Sequence, residues 1–251
     1  MRPSVHRRRF LVTAGSTREP IDRVRDWGNI FTGNTGLDIA LALAAQGDAD
    51  VDLLTSNVEH VARLREADGS VRPIAFKRYD ELYTLCALRM QSGPYDAIVM
   101  TAAVCDYKPV GTYSVEAMQG DTWRVRDVQA GKVRSTHARI AVLAEPTLKI
   151  IDQFRATWGH AGVLVKFKLE VGIGADELIA VGQRSRVHSG AEILVANTID
   201  MVDGPRAGAL LLSDQGSEFV GRGVLASTLA QQIRSACERE SNPAPSASAT
   251  V

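Results

Sequence analysis

The residues best suited to chemistry lie near the start of the chain, between residues 11 and 36. An apolar segment leads into a Gly-Ser-Thr turn at residues 15–17, and glycine returns at Gly33 and Gly36. Glycine lets backbone N–H groups approach an anion, and a helix N-terminus presents a positive dipole to that anion. The run therefore predicts a phosphate-binding turn, although many α/β folds use glycine here only to reverse the chain.

Neither common phosphate motif matches this run. There is no G-x-x-x-x-G-K-[ST] segment, because Gly33 is followed by Asn34 and Gly36 by Leu37. The G-x-G-x-x-G spacing of dinucleotide-binding turns is missing from the first turn as well. If these residues bind phosphate, they must do so through a less common kind of site.

Two more groups of reactive or small side chains follow predicted strands. Ala102, Ala103 and Asp106 come after one apolar segment, and Phe167 and Lys168 come at the end of another. Ligands of parallel α/β sheets collect at the carboxyl ends of the strands, so these positions are candidate contacts. Small alanines would let a flat or anionic group lie on the backbone. Asp106 could hold a metal or a hydroxyl, but aspartate is also a common cap of helices and turns.

Other polar residues have simpler interpretations. Lys132 and Arg134 lie in a polar stretch that is typical of a solvated strand face. Cys105 has no identifiable base nearby, which favours a small buried thiol over a nucleophile. The five histidines show no metal-ligand spacing.

Composition limits the class of protein. The 251 residues, 45% of them hydrophobic, can bury one substantial core. The 29 basic and 29 acidic residues balance, so no long-range field favours nucleic acid or an anionic membrane as a partner. Three dispersed cysteines indicate neither a disulfide framework nor structural zinc, and no segment approaches the roughly 18 apolar residues of a membrane span. We expect a cytoplasmic protein.

Strands and helices alternate along most of the chain, which predicts a Rossmann-like α/β fold: a mainly parallel sheet with helices on both faces. The predicted strands are residues 10–13, 51–55, 73–76, 97–101, 163–167, 193–196 and 209–213. The predicted helices are residues 37–47, with Gly47 as the stop signal, 79–90, 146–158, 175–187 and 224–237.

Residues 112–142 interrupt the alternation with a loose period of two, which predicts an antiparallel excursion. The predicted organisation is a short extension (residues 1–9), a single α/β domain (residues 10–239) and a disordered tail (residues 240–251).

Several segments form a pattern whose order and spacing hold from about residue 10 to residue 233. The segments are residues 12–22 (VTAGSTREPID), Arg25, Asn29, residues 32–33 (TG), 102–107 (AAVCDY), 131–135 (GKVRS), 146–150 (PTLKI), 167–169 (FKL) and 191–197 (AEILVAN). Together they resemble phosphopantothenate–cysteine ligase of coenzyme A biosynthesis.

The resemblance implies a two-step reaction. The carboxylate of 4'-phosphopantothenate attacks the α-phosphate of a nucleoside triphosphate, which gives an acyl-nucleotide and pyrophosphate, and the cysteine amine then displaces the nucleotide. CTP is favoured and ATP is possible, with Mg²⁺ on the triphosphate and no flavin. The flavin-dependent decarboxylase half of bifunctional members is not part of this sequence, so a stand-alone ligase is expected.

The resemblance also implies roles for individual residues. Asn29 and Lys132 would be catalytic: Asn29 would polarise the acyl carbonyl, and Lys132, on a flap, would neutralise charge at the α-phosphate. Arg25 would reach phosphopantothenate in the neighbouring subunit of a homodimer, with the flap and much of the interface supplied by residues 112–142. The implied substrate-binding residues are Gly15, Ser16, Thr17, Arg25, Asn29, Ala102, Ala103 and Asp106. The implied nucleotide-binding residues are Gly33, Ala103, Asp106, Lys132, Pro146, Phe167 and Lys168, with Asp106 also a candidate ligand of Mg²⁺.

The chain departs from the family pattern at four positions. Ser16 and Lys166 replace glycines, and Ser185 and Ser189 stand where bifunctional bacterial enzymes carry nucleotide-binding lysines. Lys166, Arg184 or Arg186 could substitute for those lysines. Two alternatives therefore stay open: an NAD(P)-dependent reductase, which would need the missing dinucleotide motif, and an inactive dimeric relative with a binding role.

Overall fold

A computed structural model describes residues 7–67, 69–128 and 131–241. In chain order the strands are β1 (Arg8–Ala14), β2 (Arg18–Pro20), β3 (Asp26–Gly28), β4 (Ala49–Thr55), β5 (Val71–Ala75), β6 (Ala97–Met100), β7 (Tyr107–Gln119), β8 (Thr122–Asp127), β9 (Ile140–Pro146), β10 (Val163–Glu170), β11 (Ile193–Thr198), β12 (Gly208–Ser213) and β13 (Gly216–Gly221). The helices are α1 (Asn34–Ala44), α2 (Val58–Arg65), α3 (Tyr79–Gln91), α4 (Ile150–Ala156), α5 (Ala175–His188) and α6 (Arg222–Ser241), with a 3₁₀ turn at Ile199–Met201.

Eight strands form one sheet in the order β13-β12-β11-β10-β6-β1-β4-β5. The strands from β11 to β5 are parallel, and β12 and β13 add an antiparallel edge. Alternate residues of β1 enter opposite cores: Phe10 packs on the side of α1 and α6, and Leu11 on the side of α3 and α4. The predicted Rossmann-like sheet with helices on both faces is confirmed.

The strand order reverses between β1 and β6. The chain runs from β1 outwards through β4 and β5, and then returns to place β6, β10 and β11 on the other side. Loops at the carboxyl ends of β1 and β6 therefore diverge and leave a crevice, which is where ligands bind in this class of sheet.

Gly33 fixes the start of α1 against the end of β1. Its φ is +85°, and a Cβ added there would lie 2.1 Å from the backbone nitrogen of Gly15. Only glycine fits this close approach, so the two glycine turns form one packed unit.

The excursion is a separate three-stranded antiparallel sheet, β8-β7-β9, and it spans residues 107–146 rather than the predicted 112–142. The helix predicted from residue 146 begins at Ile150, because Pro146 is paired with Tyr107 at the end of β9. Proline lacks a backbone N–H and is tolerated at such strand ends.

Other boundaries differ by a few residues. β1 begins at Arg8, inside the predicted extension, because Arg8 pairs with Ala49 in the sheet register. α6 continues to Ser241, beyond the predicted domain end at residue 239, and the rest of the predicted tail lies outside the described residues. Four strands and helices were not predicted: β2 and β3, which pair as an antiparallel hairpin, α2 and β13. No helix in the described part of the chain combines the length and apolar character needed to cross a bilayer.

Candidate active site

The turn after β1 and the turn after β6 are joined by backbone hydrogen bonds. The N–H of Ala103 donates to the carbonyl oxygen of Gly15 at 2.8 Å, and the N–H of Thr17 donates to the carbonyl oxygen of Ala103 at 3.2 Å. Ser16 and Ala103 thus form an isolated parallel bridge beyond the main sheet. The structure brings together two groups of predicted substrate contacts that lie almost 90 positions apart.

Asn29 lies against this bridge. It follows β3 directly, and its Nδ2 donates a hydrogen bond to the carbonyl oxygen of Ala103 at 3.1 Å. Ser16 Oγ donates to the carbonyl oxygen of Asn29 at 3.1 Å. The serine at position 16, a departure from the family glycine, therefore helps to hold the Asn29 loop.

Thr17 and Cys105 are buried beneath the same bridge. The N–H of Cys105 donates to Thr17 Oγ1 at 2.8 Å, and its Sγ contacts the Thr17 carbonyl oxygen at 3.2 Å. Burial raises the pKa of the Cys105 thiol, which favours the unreactive protonated form. The prediction of a buried thiol is confirmed, and the Thr17 hydroxyl is committed to the scaffold.

Two cavities meet at the bridge. We call the larger, of about 660 Å³, the lysine cavity, because Lys149, Lys166 and Lys168 line it. We call the smaller, of about 420 Å³, the glycine cavity, and Gly15, Gly33, Gly36, Val195, Asn197 and Leu225 are among its lining residues. Ala102, Ala103, Phe167 and Lys168 line both cavities. Asn29 and Asp106 line only the lysine cavity.

The three lysines of the lysine cavity differ in their partners. Lys149 pairs with Asp106 at 2.5 Å, and Lys168 pairs with Glu170 at 2.7 Å. Lys166 instead donates to Ser189 Oγ at 2.6 Å and contacts the Ser185 carbonyl oxygen at 3.4 Å. Among the described residues, Lys166 has no carboxylate within ion-pair distance. Its half-buried ammonium leaves the cavity with a positive charge that no acidic side chain contacts directly.

Burial lowers the pKa of Lys166 from the ordinary value of 10.5, and the nearby ammonium groups of Lys168 and Lys149 lower it further, while Asp152 opposes the shift. Asp152 reaches this lysine only through a hydroxyl, because Ser189 Oγ donates to Asp152 Oδ1 at 2.8 Å. A cation held in this way can donate to an incoming anion or carbonyl oxygen.

Of the three basic residues considered as substitutes, only Lys166 lines the lysine cavity. Its ammonium, which extends from β10, contacts the Ser185 carbonyl oxygen and Ser189 Oγ at the C-terminal end of α5. Arg186 is buried and bonds to Gln183, Asp214 and the Ala191 carbonyl oxygen. Arg184 is exposed on α5 and lines neither cavity.

Lys132 is exposed and is not among the residues that line the two cavities. Its backbone neighbours are bonded to the turn of the β2–β3 hairpin, at Arg23 and Asp22. In the same turn, Arg25 pairs with Asp22 at 3.3 Å and donates to the Val133 carbonyl oxygen at 3.2 Å. Asn29 and Lys132, the two predicted catalytic residues, thus lie on segments that meet at the β2–β3 hairpin.

Pro146 lies apart from the other predicted nucleotide contacts. It lines a shallow groove with Tyr79 and Tyr83, whereas the next residues of its segment, Thr147 and Leu148, line both this groove and the lysine cavity. Of the two cavities, Gly33 lines only the glycine cavity. Contacts of Pro146 and Gly33 with a nucleotide stay predictions.

The residues around Asp106 do not by themselves form a magnesium site. The Asp106 carboxylate pairs with Lys149, and the described residues include no cluster of three or more acidic, histidine or cysteine side chains that could hold a metal ion. A contact of Asp106 with Mg²⁺ stays a prediction.

Comparison with known proteins decides the family. The family model for the DNA/pantothenate metabolism flavoprotein C-terminal domain matches residues 5–235 of this chain. The chain belongs to this family. The bifunctional coenzyme A biosynthesis protein CoaBC of Thermococcus kodakarensis is 31% identical over 197 residues, which cover 78% of this chain and 42% of that protein. CoaBC of Mycobacterium tuberculosis is 34% identical over 189 residues, 70% of this chain and 42% of that protein.

Solved structures show the same fold. The DNA/pantothenate metabolism flavoprotein of Streptococcus pneumoniae superposes with a TM-score of 0.76 at 24% identity, covering 91% of this chain and 99% of that one. A Cab2 mutant, H337A, in complex with phosphopantothenate-cysteine gives a TM-score of 0.70 at 13% identity, covering 93% and 87%. The family resemblance read from the sequence motifs is confirmed. The chain spans less than half the length of the CoaBC relatives that it matches.

Sequence reasoning did not assign Lys149 or Asp152 to the site. Both lie at or just inside the start of α4, which the sequence placed at residue 146. The sequence pointed to Lys149 only as part of the segment PTLKI. Pairing of β7 with β9 brings Tyr107 opposite Pro146, and this places Lys149 beside Asp106.

Proposed function

We propose that this chain is a ligase that joins 4'-phosphopantothenate to L-cysteine at the expense of a nucleoside triphosphate, in coenzyme A biosynthesis. The observation that carries the proposal is the meeting of two cavities at Ala103, beside the amide of Asn29. A reaction that joins a nucleotide to an acyl group, and then transfers that group, needs two binding spaces with one shared contact point.

The first step forms a bond between a carboxylate oxygen of phosphopantothenate and the α-phosphorus, and it breaks the bond to pyrophosphate. In this proposal the nucleotide occupies the lysine cavity, because Lys166 supplies a cation there that no described carboxylate contacts directly. Phe167 offers an aromatic face at the shared wall. Negative charge that grows on the α-phosphate is stabilised by cations already in place, and Lys132 of the flap adds to them.

In the second step the cysteine amine attacks the acyl carbonyl carbon, the nucleoside monophosphate leaves with the bonding electron pair, and the amine loses a proton. The carbonyl oxygen gains negative charge as the amine adds. The Nδ2 group of Asn29 has two hydrogens, of which one is used by the Ala103 carbonyl oxygen at 3.1 Å. The second hydrogen is free to stabilise the oxyanion.

We also propose that two copies associate through the three-stranded sheet. Register places Met118 opposite Trp123 and Val115 opposite Val125, so these side chains share one face. Met118, Trp123 and Val125 are each more than 40% exposed. An apolar sheet face of this kind is typical of an interface. In such a dimer Arg25 would act on the neighbouring active site, as the family resemblance implies.

A cytoplasmic location belongs to the same proposal. Cys86, Cys105 and Cys237 are all buried and none forms a disulfide. Cysteines outside disulfides are typical of proteins in a reducing compartment.

The decisive assay supplies phosphopantothenate, L-cysteine, Mg²⁺ and either CTP or ATP, and follows pyrophosphate release and the amide product by mass spectrometry. We expect pyrophosphate in the absence of cysteine, the amide only in its presence, and faster turnover with CTP. If the folded protein binds nucleotide but releases no pyrophosphate with either triphosphate, it is an inactive relative. NADPH binding without ligase activity would favour a reductase.

A further inference from the structure

The side chain of Asp22 joins two segments that are more than 100 positions apart. It lies in the turn of the β2–β3 hairpin and is fully buried, although the turn itself is at the surface. One oxygen, Oδ1, accepts from the N–H groups of Val24 at 2.7 Å and Arg25 at 2.8 Å. The other, Oδ2, accepts from the N–H of Val133 on the flap at 3.0 Å.

Two further bonds hold the flap to the same turn. The N–H of Arg23 donates to the carbonyl oxygen of Gly131 at 3.0 Å, and Arg25 Nη2 donates to the carbonyl oxygen of Val133 at 3.2 Å. Val133 is 2% exposed, so its side chain is anchored as well. Lys132 therefore lies between two residues whose backbone groups are fixed to the hairpin, while its own side chain is exposed.

We propose that Asp22 is the positioning residue of Lys132: its carboxylate holds the flap on the hairpin that also carries Asn29, and so fixes where the lysine ammonium is presented. The role of Lys132 in this statement rests on the proposed ligase function. The attachment of the flap by Asp22 does not.

A carboxylate suits this task better than its amide. Asp22 satisfies three backbone N–H donors with two acceptor oxygens. An asparagine of the same shape has one acceptor oxygen, and its NH₂ group would face an N–H donor on the other side. Asp22→Asn must therefore lose either the turn bonds or the flap bond. The hydrogen bond from Val133 is also the main cause that lowers the pKa of Asp22, so the carboxylate stays charged at neutral pH.

Backbone hydrogen exchange tests the attachment without any assay of activity. We expect the Val133 amide to exchange at least tenfold faster in Asp22→Asn than in the wild type. Asp26→Asn is the matched control, because Asp26 lies in the same hairpin but pairs with Lys77 at 3.0 Å and not with the flap. Core amides of β1 report whether each variant is folded. Asp22→Ala removes both acceptor oxygens, so it loses the flap bond whichever way an asparagine would turn. Unchanged exchange at Val133 in a folded Asp22→Ala variant would overturn the proposal.

A double-mutant cycle on pyrophosphate release tests the positioning role. If Asp22 acts through Lys132, Asp22→Asn lowers kcat more than it raises KM, and the double variant with Lys132→Ala is no slower than Lys132→Ala alone. Losses that multiply would show that Asp22 acts independently, and the positioning role would be wrong. If the wild type releases no pyrophosphate, the ligase function fails, and the exchange experiment still decides whether Asp22 holds the flap.

Discussion

The amide of Asn29 bonds to the backbone of Ala103, 3.1 Å away and 74 positions later in the chain. This contact joins the loop after the hairpin to the loop after β6, at the point where the two cavities share a wall. This bond uses one hydrogen of the exposed Asn29 amide and leaves the other available for charge that develops during a reaction.

Asn29→Ala should separate the two chemical steps. Pyrophosphate release should continue, while amide formation should slow by about 10²- to 10³-fold because the oxyanion loses a donor. Rapid-quench analysis should then detect accumulated acyl-nucleotide. Gln91→Ala, at the exposed end of α3 and outside both cavities, is a control for the loss of a surface amide. An unimpaired rate of amide formation in Asn29→Ala would remove Asn29 from the mechanism.

Lys166→Met should raise KM for the nucleotide by about tenfold or more, since a hydrogen bond from a charged donor contributes about 1.5–3 kcal/mol. Methionine matches the lysine side chain as far as Cε, so it fills most of the same half-buried space without the ammonium. Arg184→Met on α5 removes a charge that lies outside both cavities and should leave KM unchanged. Equal KM values in Lys166→Met and the wild type would show that the nucleotide does not contact this lysine.

Lys166 should also give nucleotide binding a distinctive pH dependence. Because burial lowers its pKa below 10.5, the ammonium loses its proton at a lower pH than an exposed lysine does. The Kd for nucleotide should therefore rise as pH increases through that lowered value. Lys166→Arg stays charged throughout, so its Kd should not show this rise. Identical profiles in the two proteins, measured by calorimetry, would contradict the assignment.

Trp123→Asp should weaken association of two copies by at least tenfold, because it places a charge in the exposed apolar face of the three-stranded sheet. Thr122→Asp is the control, since the neighbouring residue of a strand points to the opposite face. Sedimentation velocity across a range of concentrations gives the dissociation constant for each variant. A wild type that stays monomeric at high micromolar concentration would rule out this interface.

His160 should make stability depend on mild acid. The ring is buried between α4 and β10, and desolvation lowers its pKa to about 4 from an ordinary 6.5. The unfolded chain therefore binds a proton between pH 6.5 and 4 that the folded protein does not, so the free energy of unfolding falls by about 3 kcal/mol as pH decreases through that window.

Urea titrations of the wild type and His160→Gln at several pH values measure this effect. Glutamine can keep the donor to the Val163 carbonyl oxygen, which lies 3.2 Å from His160 Nε2, but it does not titrate. Its stability should change less with pH. His188→Gln, at an exposed ring, should follow the wild type. A His160→Gln variant with the full wild-type slope would assign the acid sensitivity to other groups.

The parallel sheet was predictable because strands such as β6 are continuous apolar runs, which a sheet buried on both faces requires. The β2–β3 hairpin was not, because Asp26, Trp27 and Gly28 are exposed and have no apolar alternation. The motifs predicted that Asn29 and Ala103 belong to one site. The contact between Lys166 and Ser189 could not be predicted from the sequence, because it depends on how α5 packs against β10.

Gly33 and Gly15 shape the turn where β1 ends and α1 begins. A Cβ on Gly33 would lie 2.1 Å from the Gly15 nitrogen, so the two backbones pack directly against each other. A ligand that binds there should find the N–H groups already ordered, so that most of the conformational entropy lost on binding belongs to the ligand and not to the protein.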